Sequence, residues 1–90
     1  MRLDLFLKLS RLCPRRTVAQ KLCDAGFVFL NGRAAKPSHN TKAGDEIVIR
    51  QPSEEVIAQV LRIPGGRNVS REQSRHLVEI VSRKTRDVLS

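Results

Sequence analysis

Between Arg11 and Lys21 the chain reads RLCPRRTVAQK, with four basic residues and no acidic one. Side chains of this kind bind phosphate: arginine offers a planar fork of donors and lysine a compact charge. Thr17 and Gln20 lie among them and can hydrogen-bond a phosphate or a 2′-hydroxyl. The Asn31-Gly32 pair that follows specifies a tight hairpin turn, in which Gly32 permits close backbone approach and Asn31 offers an amide. Arg2, Lys8, Arg11, Arg15, Arg16, Thr17, Gln20, Lys21, Asn31, Gly32 and Lys36 together make a cationic face suited to folded RNA.

Residue types that break bonds or hold metals are sparse. Cys13 and Cys23 stand ten apart without a CxxC pair, and with His39 and His76 they lack the spacing of a four-ligand site. Free thiols, buried or semi-buried, in a reducing compartment are expected, with no metal and no cofactor. There is no Cys/His or Ser/His spacing, no paired carboxylates and no phosphate loop, so no enzyme is expected. Asp45 reads as a turn residue and His39 as an exposed loop residue.

The formal net charge is +8. Residues 1–36 hold eight Lys/Arg against Asp4 and Asp24, and the remainder holds nine against seven. This concentration toward the N-terminal end favours a polyanionic partner over simple solubility. No apolar run approaches the roughly 20 residues of a membrane span, and the N-terminus lacks the pattern of a secretory signal, so a cytoplasmic protein is expected. The three aromatics, Phe6, Phe27 and Phe29, are too few to stack single-stranded bases while filling a core. Phe27 and Phe29 are assigned to the core, leaving phosphate and shape as what the chain reads.

The elements that must position these groups follow from periodicity. Leu3, Phe6, Leu7 and Ser10 share one side of a helix over residues 3–11, with Asp4, Lys8 and Arg11 opposite and Asp4–Lys8 a weak surface pair. Pro14 opens a second helix over 14–25, ended by Gly26. Its buried side is expected at Val18, Leu22 and Ala25, with Arg16, Thr17, Gln20 and Lys21 facing away. Strands are expected at 27–30, 33–35, 46–50 and 56–63. The break at Pro64-Gly65-Gly66 precedes a short helix capped by Ser70 with Gln73. Leu77, Ile80 and Val81 fit either a helix or a strand, and the tail from Ser82 is expected to fray.

RLDLFLKLSRL, RRTVAQKLCDAG, VFLNGRAAKPS and KAGDEIVI, in that order, resemble the S4 RNA-binding domain, or αL motif, over residues 1–50. The resemblance implies an α+β fold, two N-terminal helices on a small, mostly antiparallel sheet. Residues 1–63 would form the S4-type domain and 64–90 a C-terminal extension. A stand-alone domain with RLD, RRT, NG, AKPS and GDEI is similar to the RqcP and heat-shock-fifteen type of ribosome-associated quality-control factor. That implies docking on large-subunit rRNA and peptidyl-tRNA of stalled, split ribosomes, with an RqcH-type elongation factor as partner. The alternative is a general binder of structured RNA (tRNA, rRNA during assembly or regulatory RNA). A further class is an adaptor whose basic face meets an acidic protein. A monomer suffices for each.

Overall fold

The computed structural model describes residues 1–85. Along the chain come α1 (Leu3–Leu9), α2 (Arg16–Asp24), β1 (Val28–Leu30), β2 (Arg33–Ala34), β3 (Glu46–Arg50), β4 (Glu54–Val60), α3 (Arg71–Ser74) and β5 (Val78–Thr85). The strands form one antiparallel sheet in the order β2-β1-β3-β4-β5, giving the α+β fold that the sequence implies.

Leu3, Phe6, Leu7 and Leu9 of α1 are buried and meet Val28, Ile47, Ile49 and Val60 from one face of the sheet. Because strand side chains alternate, Phe29 falls on the other face, in register with Val48 and through it with Ile57. Phe27 and Phe29 are therefore half-buried and stand outside the core cluster, which corrects their assignment to the core. Phe29 instead carries the Arg50 guanidinium 5.5 Å from its ring centroid, and Arg50 Nε pairs with Glu55 Oε2 at 2.7 Å.

The turn between β1 and β2 has φ of 52° at Asn31 and 84° at Gly32, the two positive values of a type I′ hairpin. The Asn31 amide also fastens it to β3, donating to Asp45 Oδ1 at 3.1 Å and accepting from the Glu46 N–H at 2.9 Å. Asp45 accepts the Lys42 N–H as well, so it serves the turn.

Helix boundaries depart from the periodic reading at the α1–α2 junction. The first helix stops at Leu9, and Arg11 turns the chain with φ of 63°. The Cys13 N–H closes this reversal on the Leu7 carbonyl. The second helix begins at Arg16 because the chain leaves the junction through an extended Arg15, leaving Pro14 outside the helix. Its buried residues are Ala19 and Cys23; Val18 and Leu22 pack at the flank and Ala25 is exposed, so the inward face is turned one residue from the expected one. Small residues there let α2 lie close on α1.

The loop before β3 does more than connect. The carbonyls of His39 and Pro37 accept the N–H groups of Leu3 and Asp4, and Thr41 N–H donates to the Met1 carbonyl. These bonds satisfy donors that the first turn of a helix cannot satisfy itself, so residues 37–41 fix the start of α1.

After Pro64 the capping box forms as expected: Ser70 Oγ accepts the Gln73 N–H and Gln73 Oε1 accepts the Ser70 N–H. Strand β4 begins two residues before the expected start and ends at Val60. Leu77 is buried, and the segment after it is the edge strand β5, with a bulge at Val81 where β4 shifts register between Ile57 and Ala58. Ser82 to Thr85 are paired with β4, so the expected fraying does not begin at Ser82; its remaining part, residues 86–90, lies outside the described residues. No described helix is long and apolar enough to cross a membrane.

Cys13 and Cys23 are free and buried. Burial pushes the Cys13 thiol up to about 11, with Cys23 adding to it. Burial likewise raises Cys23 to about 11, helped by the charges of Asp24 and Asp4. The thiolate is the reactive form, so in native protein at neutral pH both should resist Ellman's reagent and react once urea unfolds the chain. Rapid stoichiometric labelling of folded protein would contradict this.

Candidate nucleic-acid interface

The cationic face is organised around one carboxylate. Asp4 is fully buried, where an unpaired charge would cost several kcal/mol or more. Arg2 grips it in a fork, Nε to Oδ1 and Nη2 to Oδ2, both at 3.2 Å. From α2, Gln20 Nε2 donates to Oδ2 at 2.9 Å, and Arg16 Nε lies 3.1 Å from the same oxygen as an ion pair. The Leu5 N–H donates to Oδ1 at 2.7 Å. Burial by itself raises the Asp4 pKa, but the bonds from Gln20, Arg2, Arg16 and Leu5 outweigh it and hold the carboxyl at about 2.

This arrangement replaces the expected Asp4–Lys8 surface pair. Arg16 and Gln20, expected to face away, reach across to α1, while the Arg2 and Arg16 side chains remain 51% and 33% exposed. Each arginine commits part of its fork inward and keeps other N–H donors at the surface. Spacing four apart on α2 puts Arg16 and Gln20 on one face, so the helix repeat itself delivers both to Asp4.

The other residues divide by what holds them. Lys8, Arg15, Thr17 and Lys21 are exposed, with no side-chain partner among the described residues. No side chain caps the N-terminus of α2, so its first N–H groups and positive dipole end add to the same surface. Lys36 is exposed and precedes Pro37, whose carbonyl accepts the Asp4 N–H. Asn31 and Gly32 are exposed but tied to the start of β3, with the Asn31 amide already bonded at both ends.

Arg11 faces a part of the molecule that sequence periodicity did not connect to it. Its Nε donates to Ser74 Oγ at 3.1 Å across 63 residues, and Ser74 in turn donates to the Arg71 carbonyl. Lys8 and Arg11 form one wall of a cleft of about 750 Å³ whose other wall includes Arg67, Asn68 and Gln73. The signal in the sequence was Arg67-Asn68 after a Pro-Gly-Gly break, polar and unaccompanied by acid until Glu72.

Residues 1–47 match the family described as the S4 domain. This chain belongs to the S4 domain family. The match spans α1, α2, the hairpin and the start of β3, the elements that hold the Asp4 cluster. Among similar proteins, one from Listeria monocytogenes named RQC P-site tRNA stabilizing factor is 41% identical over 87 residues, 97% of this chain and 92% of the relative. One of the same name from Bacillus subtilis is 48% identical over 60 residues, 67% of this chain and 70% of the relative. A structure of Vibrio cholerae heat shock protein 15, described as trimeric, superposes with a TM-score of 0.79 at 28% identity, covering 91% of this chain and 82% of that one. The likeness to heat shock protein 15 extends over nearly all of the S4 domain chain and beyond the matched residues 1–47.

The Asp4 cluster also sets acid stability. Its carboxyl falls from 3.8 to about 2 on folding, so the cluster contributes fully above pH ~4 and is lost as pH drops through ~2. The shift corresponds to about 2 kcal/mol. Urea unfolding of Asp4→Asn should therefore show a loss of about that size at neutral pH, shrinking below pH ~4. Equal stability of the variant and wild type at neutral pH would refute the buried ion cluster.

Proposed function

We propose that this S4 domain chain is an RNA-binding factor that stabilises P-site tRNA on the large ribosomal subunit during ribosome-associated quality control. It works by rigid docking, with no chemistry of its own. The observation that carries this reading is the surface around α2, where Arg2, Arg15, Arg16 and Lys21 stand with an uncapped helix N-terminus in a chain similar over nearly its whole length to factors of that name. The face is built on two helices clamped by a buried ion cluster, which suits recognition of a preformed RNA shape. The two thiols are held protonated and Asp4 and Asp45 are occupied by internal bonds, which supports binding as the whole activity.

Large-subunit rRNA and the peptidyl-tRNA are the RNA partners in this reading, which places the protein in the cytoplasm. An RqcH-type elongation factor would share the obstructed subunit.

Lys21→Ala probes the face more cleanly than Arg16→Ala, because losing Arg16 also uncovers Asp4. If about five phosphates are neutralised, log affinity for large subunits against log salt should slope at roughly −4, and Lys21→Ala should flatten it by about one unit. In a sucrose gradient of lysate, tagged protein should travel with free large subunits and be enriched there when translation stalls. Migration at the top of the gradient or with small subunits, or a salt-independent affinity, would overturn the proposal.

A further inference from the structure

The cleft between the α1–α2 junction and the segment after Pro64 has a composition of its own. Lys8, Arg11 and Arg67 line it, and among the described residues no carboxylate does. Asn68 and Gln73 add amides to the same wall. Gln73 spends its Oε1 on the Ser70 N–H, which leaves its NH₂ as a donor toward an acceptor-rich ligand. Arg67 is exposed and has no ion-pair partner among the described residues.

Arg11 adds a second observation. A left-handed backbone is unfavourable at a residue with a Cβ, and glycine or asparagine usually stands there. Here φ is 63° at an arginine. The strained backbone turns the chain where Arg11 lines the cleft, and the Ser74 hydroxyl holds Arg11 Nε at 3.1 Å, leaving the terminal guanidinium nitrogens as donors. Three cations on two walls, one of them anchored by a buried serine, match a chain of phosphates better than a single small anion. The cleft, of about 750 Å³, has room for more than one phosphate group.

We propose that this cleft is a second seat for RNA, in which Lys8, Arg11 and Arg67 hold the phosphodiester backbone of a strand running on from the α2 face. It makes the segment after Pro64 part of the RNA-binding surface. The proposal rests on the RNA-binding reading of the domain, and the two can fail separately.

The test measures binding of a fluorescein-labelled RNA stem-loop by anisotropy between about 50 and 200 mM salt. Wild type is compared with Arg67→Gln, Arg11→Gly and Lys21→Gln. Arg67→Gln should bind several-fold more weakly at the higher salt, with a slope shallower by about one unit and an unchanged thermal melt. Arg11→Gly removes the cation at a backbone position that glycine accepts without strain, so it should stay folded and lose affinity too. If Arg67→Gln and Arg11→Gly bind as wild type while Lys21→Gln weakens, the cleft proposal is overturned and the α2 face stands. Weakening by Arg67→Gln alongside a neutral Lys21→Gln supports the cleft and removes the α2 face. Wild type that shows no salt-sensitive RNA binding overturns both. In a parallel titration with poly-glutamate, an Arg67→Gln loss confined to that polymer would assign the cleft to an acidic protein and overturn the proposal.

Discussion

A fully buried aspartate governs how this domain presents its charges. Asp4 lies where water cannot reach it, so its charge is tolerable only with donors on several sides. Its partners come from three places: Arg2 ahead of α1, Gln20 as donor and Arg16 as ion-pair partner on α2, and the backbone of α1 itself. Satisfying the carboxylate therefore fixes the second helix against the first. It also stops two arginines from wandering, so a polyanion meets donors already in place and less side-chain entropy is lost on binding. The same ionic contacts serve the fold inside and set out the cationic face outside.

The surrounding structure supports that arrangement from each side. Ala19 and Cys23 are small enough to bring α2 close to α1, and the carbonyls of residues 37 and 39 hold the first turn of α1. The sheet supplies the apolar floor through Val28, Ile47, Ile49 and Val60. Beyond Pro64 the chain returns along the sheet edge as β5, and Ser74 meets Arg11 on the way. The cationic surface is thus framed by both ends of the described chain.

Much of this was legible from local pattern. The I′ hairpin at Asn31-Gly32, the bounds of β3 and the Ser70–Gln73 capping box each depend on a few adjacent residues, and each formed as the sequence implied. The core side of α1 was equally clear from its period. What escaped depends on neighbours distant in sequence. A helical wheel places Asp4 with Lys8 on the solvent side because it knows nothing of α2 packing over that side. The inward face of α2 was misplaced by one residue because Val18 and Leu22 are more apolar than Ala19 and Cys23, while close helix packing favoured the small pair. Phe27 and Phe29 share a face, but hydrophobicity alone does not say which face of a sheet is covered. Leu77, Ile80 and Val81 fit either period; pairing with β4 makes a strand from Val78 onward, with Leu77 just ahead of it and Val81 in the bulge. Arg67 and Asn68 gained meaning only when the fold set them opposite Lys8 and Arg11.

Asp4→Asn separates organised charge from total charge, since the variant gains one unit of positive charge while losing the centre that holds Arg2 and Arg16. The direct measurement is its affinity for purified large ribosomal subunits at neutral pH, made at a temperature where circular dichroism shows it folded. If the buried carboxylate builds the RNA-binding face, the variant binds more weakly despite its higher charge. Equal or tighter binding would mean that the face works by bulk charge alone, and would contradict the account.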